Sequence, residues 1–203
     1  MFIEQPPSFV RFFWKGIWRM KRANKRTVYL TFDDGPCPTT TPQVLEILRH
    51  YQIKATFFCV GDNVRKYPDL FEQIKQEGHD VGNHTMHHLK GFCTEQDAYC
   101  KDVTEADSYI HSTLFRPPYG RIKLSQLEDL QKKYTVVMWD VITRDYNRKL
   151  SPEKIVRIVK RYARNGSIIV FHDSEKSSKN TIPALPEAIE ALQKKGFSFS
   201  LLR

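Results

Sequence analysis

The sequence predicts a single α/β domain built on a parallel sheet that curls into a closed or nearly closed barrel. Three observations carry this expectation. Short apolar runs alternate with segments of helical period along most of the chain, the runs are almost evenly spaced, and unusual polar residues recur where the runs end. The 203 residues, 40% hydrophobic and 27% charged, suit one domain with a sizeable core rather than two.

Strands are expected over 28–34, 55–61, 80–83, 114–116, 134–141, 167–172 and 197–202. A helix over 41–52 follows the first strand, with Val44, Ile47, Leu48 and Tyr51 on one apolar face. Helices over 63–77 and 95–112 flank the third strand. The helix over 125–133 has Ser125 and Glu128 as a capping box. Ser151 before Pro152 opens a helix over 152–164 that buries Ile155, Ile158, Val159 and Tyr162. The last helix, 183–195, presents Leu185, Ala188, Ile189 and Leu192.

The net charge of +9 is unevenly placed. Arg11, Lys15, Arg19, Lys21, Arg22, Lys25 and Arg26 precede Asp33 with no acidic residue among them, while the rest of the chain has 25 Lys+Arg against 23 Asp+Glu. Residues 1–26 therefore read as a basic, aromatic arm on a nearly neutral domain over 27–203, which weighs against nucleic-acid binding by the whole protein. In the arm, Val10, Phe13, Trp14 and Ile17 fall at helical spacing, with Arg11, Lys15 and Arg19 on another face. It reads either as an element packed beside the barrel with its charges in water or as a membrane-surface or polyanion contact. No apolar run approaches the roughly 20 residues that span a bilayer, and the charged start lacks the continuous apolar stretch of a secretory signal. Cys37, Cys59, Cys93 and Cys100 have neither zinc-ribbon nor scaffold spacing and read as reduced thiols, with a Cys93–Cys100 pairing across a short loop as the alternative.

The strand ends carry the chemistry. The first ends in adjacent carboxylates, Asp33 and Asp34, which repel one another and call for a nearby cation. The third runs into Val-Gly-Asn-His-Thr-Met-His-His, where a helical turn would bring His84 and His88 onto one face. The fourth ends in Phe-Arg-Pro-Pro-Tyr-Gly, with Arg116 and Tyr119 on a rigid turn, the fifth in a segment holding Asp140 and Asp145, and the sixth in His172. Polar groups at five of the seven strand ends point to an active site. Asp34, His84 and His88 form a three-ligand set with open positions, the pattern of a catalytic divalent metal. Zinc suits it first, and cobalt, nickel or manganese also fit. Such an ion acidifies water and polarises a carbonyl. Asp33 could accept the proton from that water and His172 could supply one to a leaving nitrogen.

Five segments in order, TFDDGP, HTMHH, RPPYG, WDVITRDY and VFH, resemble the motifs of the polysaccharide deacetylases of carbohydrate esterase family 4, the NodB-homology domain. The resemblance covers roughly residues 27–202. It implies a distorted, TIM-like (β/α)7-8 barrel and metal-dependent removal of N-acetyl groups from N-acetylglucosamine-type glycans such as peptidoglycan or chitin-like oligosaccharides. By position it implies Asp33 as base, Asp34, His84 and His88 as metal ligands, and Arg116 as the partner of the base. It further implies the Tyr119 backbone N–H as oxyanion donor, His172 as acid and Asp145 as its orienting carboxylate, with His87 spare. Pro118, Tyr146 and Val170 would line the substrate pocket. Tyr146 and Val170 stand where the family usually has Trp and Leu, which keeps an apolar wall and changes its shape. Alternative readings are a deacylase of a lipid-linked or nucleotide-linked amino sugar at a membrane surface, with the arm as the contact, and a carbohydrate-binding protein without catalysis.

Overall fold

A computed structural model describes residues 4–7, 11, 16–20 and 26–202. One sheet of parallel strands carries the fold: β1 (Thr27–Asp33), β2 (Thr56–Cys59), β3 (Asp80–Asn83), β4 (Leu114–Phe115), β5 (Thr135–Val136), β6 (Val141–Ile142), β7 (Ile168–His172) and β8 (Ser198–Phe199). Their order is β5-β4-β3-β2-β1-β7-β6, with β8 beside β1. Around it lie α1 (Thr41–His50), α2 (Gly61–Lys66), α3 (Pro68–Gln76), α4 (Gln96–Ile110), α5 (Leu124–Leu130), α6 (Pro152–Tyr162) and α7 (Glu175–Lys194).

The central strand explains how the site is aimed. Side chains alternate across a strand, so Val28, Leu30 and Phe32 of β1 enter the large core that also holds Val44, Leu48, Ile155, Leu185 and Ile189 from the helices. Tyr29 faces the other way, into a smaller interior cluster with Phe58, Val137, Ile168 and Leu202. Thr31 and Asp33 continue that inner face, which brings Asp33 to the mouth of the curled sheet.

The expected elements are present, with four informative differences. The run over 134–141 is not one strand but two, β5 and β6, which form opposite ends of the sheet. Residues between them cross the open seam: the Asp140 N–H donates to Ile168 O at 3.0 Å on the β7 side, whereas the Val137 N–H donates to Phe115 O at 2.8 Å on the β4 side. The helix over 63–77 breaks at Tyr67 (φ −129, ψ 57), because Pro68 restricts the residue before it and has no N–H to continue the ladder. The Ser125 cap gives way to Lys123, whose N–H is received by Gln126 Oε1 at 3.0 Å. The last helix starts at Glu175 rather than 183, since Ser177, Asn180 and Thr181 are buried against the sheet and hold the turns ahead of Pro183.

Residues 16–20 lie along the seam. Ile17 bridges Val137 in parallel and Arg19 bridges Ser167 in antiparallel sense. Trp18 is buried and meets Trp139 edge-on at 6.3 Å. Arg11 lies in helical conformation, while Val10, Phe13 and Trp14, on which the expected arm helix rests, fall outside the described residues. The four cysteines are free. Among the described residues no helix is long and apolar enough to cross a membrane.

Gly166 holds φ +79, and a Cβ there would collide with the backbone oxygen of Met20. Gly166→Ala should lower the unfolding free energy by about 2–4 kcal/mol in urea titrations, from left-handed strain plus overpacking. Gly196 (φ +76) has open space around it, so Gly196→Ala should show the backbone strain alone, about 1–2 kcal/mol.

Candidate active site

The site begins with a buried cation. Arg116 follows β4, is fully buried, and lays its guanidinium 4.0 Å over the Phe58 ring. Nη1 donates to Asp33 Oδ1 at 2.6 Å and to Thr31 Oγ1 at 2.8 Å. Nε and Nη2 donate to the carbonyls of Val137 and Met138 at 3.2 and 3.0 Å. Burial pulls the guanidinium below its ordinary pKa, and the charge of Asp33 opposes that pull. The repulsion expected between Asp33 and Asp34 is thus relieved by separation: Asp33 turns inward to Arg116, and Asp34, at φ +81, turns the other way, to the histidines.

Asp34 Oδ1 lies 3.1 Å from His88 Nε2 and 3.6 Å from His84 Nε2. One ligand atom from each of Asp34, His84 and His88 falls within 4.8 Å of the others, so the three form a candidate metal site. The expected helical turn is absent. His84–His88 is a loop in which Thr85 (φ +66) and His88 (φ +56) are left-handed. Side chains stabilise that shape: Asn83 Oδ1 accepts the Thr85 N–H at 2.8 Å, and Asp102 Oδ2 accepts those of Met86 and His87 at 2.8 and 3.1 Å. Asp102 Oδ1 lies 2.6 Å from Nδ1 of His87, so the third histidine points away to a carboxylate and stays half exposed.

The donor chemistry fits a divalent cation. His84 Nδ1 lies 2.7 Å from the Arg116 carbonyl, which fixes the proton on that nitrogen and leaves the Nε2 lone pair toward Asp34. Burial lowers the His84 pKa to about 4, so the ring is neutral near pH 7. Burial would raise Asp34, but the hydrogen bond of His88 and the charges of His172, His84 and His88 hold it well below the usual carboxylate range.

His172 ends β7. Its Nδ1 is 2.7 Å from Asp145 Oδ1 and its N–H donates to Asp145 Oδ2 at 2.7 Å. Thr181 Oγ1 donates to the same carboxylate at 2.6 Å, and Asn180 Nδ2 holds the Asp145 carbonyl at 2.9 Å. Burial opposes protonation of His172, yet Asp145, with Asp34 and Asp33, pushes it up to about 9. Tyr146 stands edge-on to the His172 ring at 4.9 Å. Across the mouth, Tyr119 (φ +60) is 54% exposed and tilts over His88 at 4.7 Å. Pro118 is buried beneath it, and Val170 is fully buried one inward position below His172.

Asp140 does not join this group. It lies at the opposite end of the barrel, buried under Arg11, Arg164 and Ser167. Sequence reasoning missed Asp102, Asn83 and Thr181. Asp102 had a readable signal: it interrupts the buried stripe Tyr99, Val103, Ala106 and Ile110 of α4, where an unpartnered carboxylate would be costly.

Comparison with known proteins now decides the family. A family profile described as Polysaccharide deacetylase matches residues 20–139. The chain belongs to this family. A peptidoglycan-N-acetylglucosamine deacetylase of Bacillus cereus is 35% identical over 184 residues, covering 87% of this chain and 86% of the relative. A chitooligosaccharide deacetylase of a Bradyrhizobium species is 36% identical over 191 residues, covering 85% and 87%. A crystal structure of a peptidoglycan N-acetylglucosamine deacetylase superposes with a TM-score of 0.88 at 31% identity, across 97% of this chain and 94% of that one. The polysaccharide deacetylase fold accounts for the curled sheet open at one seam.

Folded His172 keeps its proton to about pH 9, whereas an unfolded imidazole releases it near 6.5. Its contribution to stability is therefore complete below pH 6.5 and lost as the pH rises through 9. Unfolding free energies across this range should fall, by up to about 1.4 kcal/mol per pH unit from this group. The fall should flatten in Asp145→Asn, whose His172 loses the carboxylate that holds its proton.

Proposed function

We propose that the protein is a metal-dependent N-deacetylase of N-acetylglucosamine-type glycans, peptidoglycan or chitin-like oligosaccharides. The observation that supports this most is the convergence, at the C-terminal strand ends, of Asp33 on Arg116, the Asp34–His84–His88 cluster, and His172 on Asp145. The relatives named above, a peptidoglycan deacetylase and a chitooligosaccharide deacetylase, support the substrate class.

Asp34, His84 and His88 would hold the divalent ion, zinc first by donor type, with cobalt, nickel or manganese also suited. When bound, it would acidify water and polarise the amide carbonyl. Asp33 takes the proton from the attacking water, and Arg116 keeps that carboxylate aimed. The Tyr119 N–H donates to the oxygen on which charge develops, at the mouth beside His88. His172 is protonated at neutral pH through Asp145, so it delivers a proton to the departing nitrogen as the C–N bond breaks, releasing acetate and the free amino sugar. Pro118 and Tyr146 form the pocket for the acetyl methyl group, whereas Val170, expected beside them, is fully buried and does not reach its surface.

Acetate release from N-acetylglucosamine oligomers and peptidoglycan fragments tests the proposal. Release should vanish with chelator, return with added divalent metal, and fall roughly 10²–10⁴-fold in Asp33→Asn and in His172→Ala. Release that persists in Asp33→Asn at the parent rate would overturn the assignment of the base.

A further inference from the structure

β6 is an end strand of the sheet, paired to β7 along one edge. Its other edge is not bare. The Ile142 N–H donates to the carbonyl of Glu4 at 2.9 Å, and the Glu4 carboxylate accepts from Arg144 Nη1 at 2.8 Å. Both side chains are largely buried, at 24% and 15% exposure. Burial opposes ionisation of Glu4, but its backbone hydrogen bond and the Arg144 and Lys154 charges lower its pKa. Gln5 Nε2 donates to Tyr162 O at 3.3 Å, and Arg11 ties Pro6 O to Asp140.

Arg144 is the residue through which this contact reaches the site. It is left-handed (φ +63), a conformation an arginine adopts only where its surroundings hold it. It immediately precedes Asp145 and Tyr146. Three further bonds define this turn: Asn147 N–H to Arg144 O at 2.9 Å, Tyr146 N–H to Asp145 Oδ1 at 3.1 Å, and His172 N–H to Asp145 Oδ2 at 2.7 Å. The arm supports the facing wall as well. Trp18 packs on Trp139, and the Trp139 ring occupies the space where a Cβ on Gly120, beside Tyr119, would lie.

We propose that the N-terminal segment 4–7 is part of the catalytic apparatus, a clamp on the outer edge of β6. In it Glu4 is a positioning residue: through Arg144 it sets the Asp145–His172 pair and the Tyr146 wall. The roles of His172 and Tyr146 rest on the deacetylase reading above, whereas the clamp itself rests on the contacts of Glu4.

Two measurements on the full chain separate the clamp from that reading. Amide hydrogen exchange at Tyr146, Asn147 and His172 is followed in the parent, Glu4→Gln, Arg144→Gln and the double variant, with the melting temperature as a check on folding. Glu4→Gln should speed exchange at these amides with little change in melting temperature. On glycan oligomers, kcat should fall on the order of tenfold while KM changes less than about twofold, as expected for a misplaced proton donor. Since the two side chains act through one contact, the double variant should be no slower than the slower single one. Unchanged exchange in Glu4→Gln would overturn the clamp, as would faster exchange with kcat at the parent value. Faster exchange in a protein whose parent releases no acetate would overturn the deacetylase reading and leave the clamp standing.

Discussion

Asp33 and the loop of His84 at the mouth of this barrel rest on one buried cation. Arg116 is fully enclosed, and its guanidinium is satisfied by Asp33, Thr31 and the carbonyls of Val137 and Met138. Those carbonyls belong to the stretch leading out of β5, so the same side chain that orients Asp33 also ties that stretch to the central strand β1. Its own carbonyl receives His84 Nδ1. Removing either partner of such a pair leaves an uncompensated buried charge, at a cost of about 3–5 kcal/mol. The centre of the fold and the proposed base, Asp33, are therefore joined in one feature.

The residues around that centre are strained where they are useful. Asp34, Thr85, His88, Tyr119 and Arg144 all have positive φ, and all lie on loops at the C-terminal strand ends. Each such residue costs of order 1–3 kcal/mol and persists only if its neighbours over-determine it. The neighbours are identifiable. Asn63 Nδ2 holds the Asp34 carbonyl at 2.8 Å, Asn83 and Asp102 hold the histidine loop, and Asn180 and Thr181 hold Asp145. A layer of short polar side chains beneath the mouth converts irregular backbone into fixed geometry.

Two histidines in this layer show how partner chemistry sets charge. His84 and His172 are both buried, and burial alone would make both neutral. His84 faces a backbone carbonyl, which fixes a tautomer and adds little charge, so its pKa falls to about 4. His172 faces a carboxylate and rises to about 9. Near neutral pH one imidazole offers a lone pair and the other a proton, the division that the proposed amide hydrolysis needs.

The alternation of apolar runs and amphipathic helices was enough to state an α/β parallel sheet, because burial on both faces imposes that pattern locally. The strand-end residues Asp33, Asp34, His84, His88, Arg116, Asp145 and His172 were legible for a similar reason: a titratable group ending an apolar run has few structural uses. Three things were not legible, and each depends on contacts distant in sequence. The split of 134–141 into two end strands follows from where Phe115, Arg116 and Ile168 lie, not from its own apolar pattern. The separation of Asp140 from Asp145 follows the same crossing, which sends one to Arg11 and Arg164 and the other to His172. The convergence of His84 and His88 needed a left-handed loop that the sequence, taken as a helical turn, did not announce. The sequence by itself determined which side chains could do chemistry and which runs would be buried, since those depend on residue type and local period. Only the tertiary structure decided which carboxylate meets which cation, because that choice is made by buried hydrogen bonds between strands far apart in the chain.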